Sequence, residues 1–207
     1  MAQASINHQE ELRERVLKYA LDEFLKHGIK NVKVDDIAAG LQMSKRTLYE
    51  MFEDKEHLLL ESIRYSHAQN RQKIEAIAQQ ADNQLEIFAR VFNMKLNETR
   101  TVSPKFLSEL NRYESIRRGF EKEKRDRNSK TLHFIEECVK LGFFRNDINY
   151  ALLVRMMDTC LSAMMEEEFY KEFPIDDIYY TLYETMLRSI CTPKGCEILD
   201  KTIKKKQ

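Results

Sequence analysis

The sequence predicts an all-α protein, and three observations lead there. Its 207 residues include only five Gly and three Pro, so material for β-turns is scarce, while Leu, Glu, Lys, Arg, Met and Ala are abundant helix formers. Apolar residues recur at three- and four-residue steps along most of the chain, which is helical rather than strand spacing. Between Asp36 and Lys55 two short apolar faces flank a tight corner, the pattern of a helix-turn-helix. The periodicity resolves into about nine helices. The first three make an N-terminal helix-turn-helix domain over 1–65, and the rest form a larger helical domain over 66–207.

The first helix spans about 10–26, with Leu12, Val16, Ala20 and Phe24 on one face and Leu17, Leu21 and Leu25 beside them. His27-Gly28 should close it, since Gly adopts the left-handed conformation that ends helices. A second short helix runs from Val34 to about Leu41, with Asp35 and Asp36 in the first turn, where carboxylates complement the helix dipole. Gln42-Met43 is the corner. Ser44 caps the third helix, whose core side is Leu48 and Phe52 and whose first turn carries Lys45, Arg46 and Thr47. Two cations there oppose the dipole by about 0.3–1 kcal/mol each. Either the helix keeps its positive end for an anionic partner or the turn is a solvated surface.

From Lys55 a long helix continues through Leu58, Leu59 and Ile63 towards Ile77. Leu85, Phe88, Phe92 and Leu96 give the next helix a broad aromatic face, and Ser103-Pro104 is a start signal for a short helix through Phe106 and Leu110. The mixed charge run Arg117–Lys130 reads as a solvated helix face, with a phosphate-binding patch as the alternative. It turns apolar at Leu132, Ile135 and Val139 and closes at Gly142. Two last helices, about 149–171 and 175–191, have apolar stripes too wide for one small core, as a self-complementary two-fold interface requires. Beyond Cys191 the chain is expected to be irregular or weakly helical, with Lys201–Lys206 as a solvated tail.

Lys and Arg number 34 and so do Asp and Glu, so any affinity for nucleic acid must come from a local patch. No window is apolar over the ~18 residues a membrane helix needs, and residues 1–10 lack the features of a signal peptide, so a cytoplasmic protein with no membrane partner is expected. Cys138, Cys160, Cys191 and Cys196 form no Cys-x-x-Cys pair and read as reduced structural thiols.

The block Ala20, Phe24, Gly28, Val34-Asp35-Asp36-Ile37-Ala38, Ser44-Lys45-Arg46-Thr47-Leu48-Tyr49, Phe52 and Asp54-Lys55-Glu56-His57-Leu58-Leu59 resembles the DNA-binding domain of the TetR family of bacterial transcriptional regulators. The resemblance is specific over about the first 60 residues; a weaker echo lies in Gly142–Asp147 and Thr192–Gly195. It implies that the third helix enters the major groove of a double-stranded DNA operator, with Lys45, Arg46 and Thr47 facing base edges or phosphates. Tyr49 and Lys55 would contact the backbone, and Ser44 would cap the helix and reach a phosphate; Tyr49 also fits a half-buried helix residue. It further implies that 66–207 is a ligand-binding and dimerisation domain, that the protein is a homodimer through 149–171 and 175–191, and that it is a repressor that a small-molecule effector releases from a palindromic operator. Phe88, Phe92, Met94, Phe106, Tyr113, Phe134, Met156, Cys160 and Met164 are the candidates to line an effector pocket; the same residues fit a packed core.

Three positions depart from the family pattern. Lys33 replaces a capping Thr, Gln42 replaces a Gly in the turn while Gly40 lies inside the helix before it, and Asp35 puts negative charge near the DNA side. Residues 1–65 hold ten Lys or Arg against twelve Asp or Glu, so modest, strongly salt-dependent DNA affinity is expected. An enzyme is not expected: no Glu-x-x-His pair, Walker loop, nucleophile elbow or zinc spacing occurs, and no cofactor or metal is implied. The alternative is a TetR-like helical scaffold or interaction protein with weak or no DNA binding.

Overall fold

The computed structural model describes residues 2–110 and 113–203. Its helices are α1 (Ala2–His27), α2 (Val34–Gly40), α3 (Lys45–Met51), α4 (Lys55–Gln80), α5 (Gln84–Thr99), α6 (Pro104–Leu110), α7 (Glu114–Lys140), α8 (Tyr150–Glu166), α9 (Ile175–Ile190) and α10 (Pro193–Thr202). A single 3₁₀ turn, Phe169–Lys171, follows α8. No strand forms among the described residues, and the fold is all-α. None of these helices is long and apolar enough to cross a membrane.

The chain forms two compact units, Met1–Lys73 with Ser103–Arg112, and Ile74–Val102 with Tyr113–Gln207. The division falls inside α4 rather than at residue 65, and α6 joins the first unit. The reason is local: α6 packs on α1, Phe106 is buried, and the amide of Ser103 donates to Leu25 O at 2.9 Å. Ser103 then caps α6 through Oγ, which accepts from the Phe106 amide at 3.2 Å.

In the first unit the expected faces meet. Val16, Ala20 and Phe24 of α1, Ile37 and Ala38 of α2, Leu48 of α3, Phe52, and Leu58 and Leu59 of α4 are each at most 2% exposed. The helix α1 begins earlier than periodicity indicated, at Ala2, and ends as expected where Gly28 turns left-handed at φ +82°.

The second unit is built on Leu85, Ala89, Phe92 and Leu96 of α5, Ile135 and Cys138 of α7, and Leu187 and Ile190 of α9. The chain after Cys191 is not irregular. Thr192 Oγ1 accepts from the Gly195 amide at 3.2 Å and Pro193 stands in the first turn, so α10 is well started, and its Leu199 is fully buried. Segment 149–171 is not one helix either: α8 stops at Glu166, and Glu168 is left-handed at φ 58° before the 3₁₀ turn. Three consecutive carboxylates, Glu166 to Glu168, oppose the negative end of the helix dipole there. All four cysteines are free thiols. The side chains of most of the run Arg117–Lys130, and residues Lys204–Gln207 of the tail, lie outside the described residues.

Candidate nucleic-acid interface

Two short helices cannot hold a corner by themselves, and α1 supplies what α2 and α3 lack. Gln42, at the turn, is left-handed at φ 55°, the conformation the corner needs and that Gly would adopt freely. The Met43 amide donates to Ala38 O at 2.9 Å, and Arg15 Nη2 caps Leu41 O at 3.2 Å from α1. Tyr19, also on α1, covers Gly40 so closely that a larger side chain there would require Tyr19 to move. Lys33 precedes α2 without a side-chain cap, as its residue type dictates, and Asp35 and Asp36 in the first turn complement the dipole instead.

On α3, Ser44 Oγ accepts from the Thr47 amide at 3.1 Å and lies 2.8 Å from Thr47 Oγ1. The cap and the first-turn hydroxyl are thus joined. Leu48 is inward and Tyr49 outward, 51% exposed. Both first-turn cations are engaged: Lys45 Nζ pairs with Asp35 Oδ2 of α2, and Arg46 Nε with Glu50 Oε1 one turn further along α3 at 2.8 Å. Ser44, Lys45, Arg46, Thr47 and Tyr49 therefore share one exposed end of α3. Lys55 is placed differently. Its Nζ donates to Val32 O at 3.0 Å, closing the α1–α2 connection, and burial draws its pKa below the ordinary lysine value while Glu109 of α6 opposes that shift.

Several contacts that hold this surface have no local sequence signature. Arg13 of α1 stacks over the Phe52 ring at 4.7 Å and pairs with Glu61 of α4 at 2.8 Å. Glu109, buried in α6, accepts from the Lys30 amide at 2.8 Å. Each joins positions at least 38 residues apart, so only a pairing pattern across the chain could have revealed them.

The aromatic set is dispersed. Phe92 belongs to the core of the second unit, and Phe88 and Phe134 pack against that core with ring centroids 5.8 Å apart. Met94 is half-buried, and Tyr113 precedes the first turn of α7. Phe106 is separate from the others, buried in the first unit. On α8, Met156 is 56% exposed and Cys160 and Met164 are half-exposed. An open cavity of about 560 Å³ lies among α8, the 3₁₀ turn and α9, lined by Met164, Phe169, Phe173, Ile178, Leu182 and Met186. Met164 is the member of the set that reaches it.

A capped seven-residue helix presenting cations and an exposed tyrosine, steadied by a helix before and a helix after, is a helix-turn-helix in an all-α fold. Residues 16–62 match the family model for bacterial regulatory proteins of the tetR family. Solved structures share the fold along most of the chain. A TetR-family transcriptional regulator from Rhodococcus sp. is 18% identical, with a TM-score of 0.63 over 88% of this chain and 100% of its own. The fatty acid degradation regulator FadR from Bacillus halodurans is 16% identical, with a TM-score of 0.64 over 84% and 93%. A transcriptional regulator from Saccharomonospora viridis, solved in complex with choline, is 19% identical, with a TM-score of 0.64 over 88% and 99%. No curated protein sequence matches the chain.

Proposed function

We propose that this protein is a ligand-responsive transcriptional repressor that binds a palindromic operator as a homodimer. The observation that carries the reading is the outward end of α3, where Lys45, Arg46 and Tyr49 stand exposed, with Thr47 half-buried beside them, over the buried Leu48 and Phe52. Arg46 is the base reader, since a guanidinium can contact guanine bidentately; Lys45, Tyr49 and the Ser44 hydroxyl are phosphate contacts that position α3. Lys55 already donates to Val32 O, so less of its ammonium is open to phosphate than its place in the motif implies. With Asp35 paired to Lys45, affinity per copy is modest and salt-sensitive. Two copies joined through α8 and α9 then supply the rest, reading half-sites about 34 Å apart.

The effector site belongs to the second unit, beside Phe88 and Phe134, whose rings meet while remaining partly exposed. A small molecule acts there by preferring one spacing of the two recognition helices over the other. Regulators of similar fold whose names or ligands involve fatty acid degradation and choline make a small-molecule effector a natural expectation. The test is footprinting on the DNA beside the protein's own gene, followed by Arg46→Ala at the protected site. The variant should lose about 1–3 kcal/mol of specific binding. Absence of any protected site, with the dimer intact, supports the scaffold alternative instead.

A further inference from the structure

We propose that Glu50 is a positioning residue for base reading: it holds Arg46 by Nε so that Nη1 and Nη2 are presented together to a guanine edge. The inference rests on the reading of α3 as the DNA-contacting helix. Arg46 Nε donates to Glu50 Oε1 at 2.8 Å, and the two side chains are 88% and 60% exposed. Among the described residues, Nη1 and Nη2 make no hydrogen bond, so the end of the guanidinium fork is open. Guanine offers O6 and N7 as adjacent acceptors in the major groove, and an arginine fork meets them with two parallel donors.

The two first-turn cations are thus held in different ways. Lys45 is drawn sideways to Asp35 on α2, and its ammonium is a point charge with no edge to orient. Arg46 is held within its own helix by one nitrogen, and the planar group keeps the other two free. In water an exposed pair one turn apart is weak. In a groove emptied of water the attraction strengthens, and the guanidinium has fewer orientations to lose on contact. The Glu50 carboxylate also repels phosphate, which steers Arg46 away from the backbone and towards bases.

The full-length protein and its Glu50→Ala, Glu50→Gln, Arg46→Ala and Arg46→Ala/Glu50→Ala variants would each be used to enrich a pool of random-sequence duplexes, read by sequencing. Wild type should select a site with a guanine whose preference Arg46→Ala flattens. Glu50→Ala should reduce preference at that same position by about three- to tenfold, part of what a bidentate contact supplies. Glu50→Gln, which keeps an acceptor, should retain more of it, and the double variant should flatten no further than Arg46→Ala. Helical content by circular dichroism should be unchanged, as Glu50 is exposed. An intact guanine preference in Glu50→Ala overturns the proposal. So does loss of preference at a neighbouring cytosine, which would make Glu50 a direct reader. If wild type selects no sequence at all, the DNA-reading function fails, and this inference with it.

Discussion

Tyr19 holds its phenol against Gly40: a Cβ built on that glycine would meet Tyr19 Oη at 2.1 Å and Cζ at 2.6 Å. The glycine inside α2 is therefore a matter of space rather than of backbone conformation, and it lets α1 lie over the end of the helix before the corner. Gly40→Ala gains about 0.5–1 kcal/mol of helix propensity, but overpacking against a ring typically costs about 1–3 kcal/mol. Net destabilisation is expected, seen as a lower melting temperature. Tyr19→Ala combined with Gly40→Ala should be more stable than the sum of the single effects predicts. A Gly40→Ala protein that melts above wild type would show that Tyr19 swings aside without loss.

Gln42 occupies the left-handed conformation at φ 55° that a non-glycine residue adopts at a cost of about 1–2 kcal/mol. Gln42→Gly removes that cost and adds the entropy of a freer unfolded chain, so a gain of about 0.5–1 kcal/mol is expected. Urea unfolding followed by circular dichroism should show a higher midpoint at unchanged slope. A lower midpoint would mean that the Gln42 side chain contributes more than its backbone costs.

The corner shows what sequence reasoning can and cannot reach. The helices α2 and α3, the Ser44 cap and the inward Leu48 and Phe52 follow from local spacing and residue type. Gln42, where the TetR pattern has glycine, marks the turn as unusual in the sequence itself. The partners that stabilise it, Arg15, Tyr19 and Arg13 on α1, come from positions where spacing says only "polar face" or "helix surface". Glu50 is a different case: its place four residues after Arg46 is local helical spacing, and only the structure adds which guanidinium nitrogen it holds. In the second unit the periodicity found the helices but not which aromatic residues share a side, so Phe106 was grouped with Phe88 although it belongs with α1. The helix α10 is expected from the sequence only as irregular or weakly helical, because a ten-residue segment reads as a tail unless its Thr-Pro start is given full weight.

Glu109 ties α6 to the α1–α2 turn by accepting from the Lys30 amide at 2.8 Å while 6% exposed. Glu109→Ala leaves that amide without its acceptor, at a cost of about 1–3 kcal/mol. Glu109→Gln keeps a carbonyl in reach and should cost less. The local reading is hydrogen exchange at Lys30: its amide should exchange much faster in the alanine variant and only slightly faster in the glutamine variant. Unchanged exchange in both would show that water replaces the carboxylate.

Burial pushes the thiols of Cys138 and Cys191 up to about 12, with Glu137 adding to the first and Cys196 and Cys138 to the second. At pH 8 only about one part in 10⁴ of either is thiolate, which is the nucleophilic form. Iodoacetamide on the native protein should modify the half-exposed Cys196 well before Cys138 or Cys191, and all should react in denaturant. Mass spectrometry of the digested protein resolves the sites. Equal rates at Cys138 and Cys196 would show that the core of the second unit opens readily.

The apolar surface left on the second unit gives the last prediction. Leu152 and Met156 on α8 are 54% and 56% exposed, and Phe173 before α9 is 53% exposed, beside the cavity that Ile178, Leu182 and Met186 line. The helix α9 also has a second apolar stripe, with Ile175, Leu187 and Ile190 turned into the core, so Leu182 and Met186 are surplus to the unit's own packing. A carboxylate at the centre of such a face would have to be buried unpaired in any two-fold contact, a penalty of several kcal/mol per copy. If the proposed dimer forms through this face, Leu182→Glu should sediment as a monomer, with helical content preserved because Leu182 is not in the core. Operator affinity should then fall by about 10²–10⁴, the advantage that linking two sites supplies. A Leu182→Glu protein that remains dimeric would place the two-fold contact on another face and leave the groove between α8 and α9 free.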